Sequence, residues 1–129
     1  MPISPRIESI ALLARESKTA SFFSRGVVDF LDGFYERPDG DKLANEPISL
    51  QGTLGDEGYA DAYLAAPAEH LALQFQLPLP AWTQNPKRVL KTPRFAFESE
   101  EGRMFLLMES PMAFRKRHIF ISADGLSRV

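Results

Sequence analysis

The chain has 129 residues, 44% of them hydrophobic and 25% charged, which suits one ordinary globular domain with a buried core. Its net charge is −2 and it has no cysteine, which excludes disulfides, thiolate zinc sites and cysteine nucleophiles together and fits a reducing cytosol. No run reaches the roughly 18 apolar residues of a membrane span, and Glu8 interrupts the opening "MPISPRIESIALLARESK", so an unexported, cytoplasmic protein without a membrane partner is expected.

Ser4 and Pro5 make a helix start: a hydroxyl that can accept an orphan N–H, then a proline whose missing donor would go unused. Ile7, Ile10, Ala11 and Ala14 follow at helical spacing, which predicts a first helix from about Pro5 to Ser17. Ser17, Thr19 and Ser21 are alternative caps for a second. Its stripe is Phe23, Val27, Phe30, Leu31 and Phe34, giving a helix from about Ala20 to Tyr35. Gly26 and Gly33 within it point to close helix contact or dependence on tertiary packing.

Residues 36–58 contain Pro38, Asp39 and Gly40 and hold no period, and they read as a long acidic surface loop. Asp56 and Glu57 suit the positive end of a third helix that continues through Tyr59, Tyr63 and Ala66. Pro67 then either kinks or restarts it before Leu71 and Phe75. "LPLPAW" is extended ahead of each proline and lays Trp82 against the helices, and Asn85 with Pro86 opens a short turn through Leu90. Beyond Pro93, "RFAFES" and "MFLLMES" around "EEGR" read as a hairpin, with a helix over "EEGRMFLLMES" as the competing assignment. Ser110 and Pro111 repeat the starting signal of Ser4 and Pro5 and begin a helix to about Arg117, followed by an extended "HIFIS". The fold class expected is mainly α, a small helical domain with a short C-terminal β-hairpin, with α+β as the alternative. One domain spans 1–129: helical over 1–35, an acidic loop over 36–58, a helical and proline-rich middle over 59–93, and a C-terminal motif over 94–129.

Catalytic signals are weak. Glu69 beside His70 points about 100° away from it on a helix, and no second histidine follows at metal spacing; His118 stands alone. No serine sits in a nucleophile elbow, the glycines lack the lysine of a phosphate loop, and "DGD" at 39–41 has Leu50 where a calcium loop needs glutamate. The chain therefore reads as a non-enzyme with no cofactor and no metal site. Charge is unevenly spread: residues 28–61 carry nine carboxylates against Arg37 and Lys42, whereas 62–129 sum to +3. Such asymmetry suits a complementary partner or a homodimer. The run Arg115, Lys116, Arg117, His118 is the densest basic feature, and Lys87, Arg88, Lys91 and Arg94 would extend it if the fold brings them together.

"LPLPAW", "VLKTPRF" and "ESPMAFRKRHIFISADGLSRV" together resemble the end of a family of small bacterial proteins encoded beside nucleotidyltransferase-like toxins. In that family an LPxPxW segment precedes a C-terminal ESPxxFRRRxIFVS motif ending in LSR. The likeness covers residues 77–129, with Arg94 standing where the family tends to have Trp and Lys116 where it tends to have Arg. It implies an antitoxin-like partner: a protein-interaction module that binds and regulates a neighbouring enzyme. Arg115, Lys116, Arg117 and Arg128 are the expected partner-binding residues, since arginine forks suit carboxylates or phosphates. The alternative is a nucleic-acid-binding regulator that uses the basic C-terminal half.

Overall fold

The protein was analysed as a computed structural model, which describes residues 7–55, 57–96 and 99–122. Ser4, Pro5, Asp56 and Arg128 lie outside the described residues. The fold is mainly α, with a two-stranded parallel pairing near the C-terminus.

Helix α1 runs Ile10–Glu16, and its cap is Ser9 rather than Ser4: the Ser9 hydroxyl accepts the Leu12 N–H at 3.1 Å. Of the three caps open to helix α2, Ala20–Glu36, Thr19 is the one used, accepting Phe22 N–H at 3.0 Å. Ser17 instead closes α1 by donating to Leu13 O at 2.6 Å. The stripe Phe23, Val27, Phe30, Leu31 and Phe34 is buried as its spacing predicts. Gly26 is the point of close approach, since a Cβ there would lie 2.5 Å from the buried Leu13 Cδ1.

The acidic loop is punctuated by two one-turn helices, α3 (Asp41–Ala44) and α4 (Gln51–Leu54). Each plants one leucine in the core region, Leu43 inside α3 and Leu50 at the cap of α4. Glycines at Gly55 (φ 59°) and Gly58 (φ 87°) turn the chain through left-handed backbone into helix α5, Tyr59–Gln74. Pro67 neither stops nor restarts this helix. An interior proline costs roughly 3 kcal/mol, and burial of Leu64, Ala65, Ala66 and Ala68 on all sides of it offsets that cost.

The chain then runs extended to Pro80 and makes two 3-10 turns, Ala81–Gln84 and Pro86–Arg88. Trp82 is buried and its indole N–H donates to Leu43 O at 2.9 Å. The expected hairpin gives way to the competing assignment: helix α6 covers Glu100–Glu109, capped by Ser99, whose hydroxyl accepts Gly102 N–H at 3.0 Å. Strand β1 (Arg94–Phe95) pairs in parallel with β2 (Ile119–Phe120), with α6 and helix α7 (Met112–Arg115) between them. Ser110 ends α6 rather than starting α7, because its hydroxyl is taken by Leu106 O and by Ile121 O. At the centre lies α5, packed on α1, α4, α7 and both 3-10 turns.

Candidate functional site

The four-residue basic run divides by direction. Arg115 ends α7 and is exposed; its guanidinium donates to Ser110 O at 2.9 Å, so it sits at the C-terminal end of α6. Lys116 bonds both Glu69 carboxylate oxygens, at 3.0 and 3.1 Å, and Gln84 Oε1 at 3.0 Å. Arg117 is 1% exposed. It donates to Ala113 O at 2.7 Å and to Thr83 O, and pairs with Glu69 Oε1 at 2.8 Å. Arg117 is therefore not the surface contact expected from the sequence: α5 presents a buried carboxylate, and that charge needs an internal cation. His118 has φ 65° and places Nδ1 on Leu90 O.

Burial works to raise the Glu69 pKa, but hydrogen bonds from Gln84, Lys116 and Arg117 outweigh it and hold the carboxyl below its ordinary value of 4.5. Neighbouring His70 is held below 6.5, chiefly by burial, with a bond to Gln74 opposing. The two side chains do not act as a pair. Among the described residues no group of three or more His, Asp or Glu is placed to hold a metal ion.

A second buried cation, Arg88, fixes the segment before β1. It donates to Asp61 O at 3.1 Å and Pro47 O at 2.8 Å, faces Glu46 at 3.5 Å and lies 4.9 Å over the Trp82 ring. The Asp61 carboxylate accepts from Ser49 Oγ and Leu50 N, both at 2.7 Å. With Asp29 accepting Ile7 N–H at 2.7 Å, several carboxylates of the acidic segment serve the fold directly. Leu90 also turns inward, its N–H donating to Arg117 O at 3.1 Å. Lys87, Val89 and Lys91, between and beside these anchors, face out. Along with Arg94 they line a groove of about 820 Å³ whose far wall includes Gln51 and Glu57. Arg88 and Arg117 thus leave the basic surface that the sequence suggested, and Lys87, Lys91 and Arg94 remain on it.

The other outward feature is α6. Leu106 is fully buried, while Met104 (61% exposed), Phe105 (50%), Leu107 (47%) and Met108 (77%) stand in solvent. On a helical projection these four cover a broad arc facing away from Leu106. Phe105 shares a helical row with Glu101 and Glu109, four residues to either side. The base of α6 is held by its packing on β2 and by Arg103, whose guanidinium lies 5.4 Å over Phe95, itself stacked on Phe120 at 4.7 Å. These α6 residues were not singled out as functional from sequence. The available signal was the continuous apolar run 104–108, too broad for a one-sided helix and flanked by glutamates.

No helix of the described residues is long and apolar enough to cross a membrane. Comparison with known proteins finds no matching family model, no matching curated protein and no matching solved structure.

Proposed function

We propose that the protein is a non-enzymatic interaction module, an antitoxin-like partner of an enzyme encoded beside it, and that α6 is the surface that engages that enzyme. The carrying observation is the outward apolar face of Met104, Phe105, Leu107 and Met108 on a helix whose one buried large apolar side chain is Leu106. Contiguous exposed apolar surface of this kind marks protein contact sites, and an amphipathic helix seated in an apolar groove is a common recognition mode. Methionine suits it, because its unbranched chain adapts to an irregular wall. Glu101 and Glu109 on the Phe105 row, both exposed, call for a groove edged by lysine or arginine. A second copy fits less well, since a two-fold contact would bring these carboxylate rows together. Arg115, exposed at the C-terminal end of α6, is placed to meet an acidic group at the groove's rim. By the resemblance drawn from the C-terminal motif, the partner is a nucleotidyltransferase-like toxin.

The test is co-expression with the product of the adjacent gene, followed by co-purification and an activity assay on that product. The full chain is expected to co-purify and to lower the enzyme's activity. The double variant Phe105→Ser, Met108→Ser is expected to lose both effects while keeping its melting temperature. Absence of binding and of any change in activity with the unaltered chain overturns the proposal, as does full binding by the double variant.

A further inference from the structure

We infer that the groove along residues 86–94 is a binding site for a compact phosphate ester with an apolar or planar body, gripped by Lys87, Lys91 and Arg94. This site stands apart from α6 and does not rest on the role proposed for it.

Three features converge. The first is a rigid base. Asn85 Oδ1 accepts Lys87 N–H at 3.0 Å, Arg88 is bolted to Pro47 O and Asp61 O, and Leu90 N–H is bound by Arg117 O. Arg94 N–H donates to His118 O at 2.9 Å. With the backbone fixed at both ends, the 3-10 turn and the segment after it leave Lys87, Val89 and Lys91 exposed while Arg88 and Leu90 are buried. Ordering a ligand there costs little protein entropy.

The second is charge. Among the described residues, three cations and one carboxylate, Glu57, line the groove. Among the described residues none of the three cations has a carboxylate partner, in contrast to Lys116 and Arg117, which share Glu69. Arg94 is pre-positioned, its guanidinium lying 4.5 Å over the Tyr59 ring, which leaves the N–H edge in the plane free to fork onto two phosphate oxygens.

The third is the remaining lining. Pro86, Val89 and Leu90 supply an apolar wall, while Gln51 and Thr92 supply neutral donors and acceptors. A volume of about 820 Å³ is far more than an inorganic phosphate needs and falls within the range of small-molecule sites. A long nucleic-acid strand is disfavoured by the surroundings, because the segment that closes the groove on the α4–α5 side belongs to residues 28–61, whose net charge is −7. Compact anions escape that repulsion.

The experiment titrates the full chain with adenosine diphosphate, inorganic pyrophosphate, adenosine and a twelve-nucleotide single-stranded DNA, by calorimetry at low salt. Adenosine diphosphate is expected to bind, pyrophosphate more weakly, and adenosine not at all. The double variant Lys87→Gln, Lys91→Gln is expected to keep its melting temperature and to raise the diphosphate Kd by at least about tenfold, one decade being about 1.4 kcal/mol. Arg94→Gln is expected to do the same. No binding of either diphosphate at millimolar concentration overturns the inference, and so does binding that the lysine double variant leaves unchanged. Tighter binding of the oligonucleotide than of adenosine diphosphate overturns the compact class of ligand and makes the groove a nucleic-acid surface.

Discussion

Helices α5 and α6 spend apolar residues in opposite ways. The α5 sequence "YADAYLAAPAEHLALQ" contains six alanines, and eleven of its residues are buried, so it has no solvent stripe to speak of. Small side chains let α1, α7 and the 3-10 turns approach from several directions, and of its two buried carboxylates Asp61 is met by nearby Ser49 and Leu50, whereas Glu69 has to be met by Arg117 from far along the chain. The α6 sequence "EEGRMFLLME" is rich in large apolar side chains, yet of Met104, Phe105, Leu106, Leu107 and Met108 just Leu106 is buried. Bulk that would ordinarily fill a core is presented outward. Apolar content does not locate the core here; side-chain size and the number of packed neighbours do.

The contrast between α5 and α6 is most exposed to test at Arg117. Arg117→Met removes the buried cation from Glu69, leaving it to exposed Lys116 and Gln84, and strips the Ala113 and Thr83 carbonyls of their donor, and it should lower the unfolding free energy by about 3 kcal/mol, measured by denaturant titration. Leu71→Ala on α5 should cost about 2–5 kcal/mol in the same assay, since the surrounding elements are too constrained to close the cavity. A cost near zero at either position would mean that α5 is not the packed centre.

Acid provides a third, smaller effect. Because the Glu69 carboxyl is held below 4.5 in the fold, the unfolded chain takes up its proton first as pH falls. The contribution is complete above 4.5 and drains away below it. His70, held below 6.5, adds an earlier loss that begins as pH drops under that value. Denaturation midpoints between pH 8 and pH 3 should fall in two stages, and Glu69→Gln should flatten only the lower one, from a lower starting stability. The smallest effect is expected on α6: Phe105→Ser with Met108→Ser should shift stability by no more than about 0.5 kcal/mol per site. A larger loss would show that this face is covered within the chain.

Sequence legibility follows the same division. The α2 stripe from Phe23 to Phe34 was readable because a one-sided helix buries what its period predicts. For α6 the hairpin was the expected reading and the helix only the competing one, since its apolar residues do not line one internal face. At Ser110–Pro111 a helix does open, α7 at Met112, but the Ser110 hydroxyl donates back to Leu106 O instead of accepting an N–H of the new helix. Arg117 was illegible as an internal residue, because its partner Glu69 lies 48 positions earlier and no local pattern joins them. Lys87, Lys91 and Arg94 were visible as charges, but only the inward turn of Arg88 and Leu90 puts them on one groove.

The short pairing of β1 with β2 has a consequence for how α6 moves. Ala96 N–H donates to Phe120 O at 2.9 Å, and Ser110 Oγ reaches Ile121 O at 2.9 Å, so the chain is clasped where it departs toward α6 and again where it comes back. An arm fastened at its root can loosen without disturbing the body: α6 amides should exchange with deuterium well before those of Phe114 to Phe120, as a separate opening unit. Evolution or a protein engineer can then rewrite the arm's outer residues to change whom it recognises, while Leu106 and the clasp keep it attached.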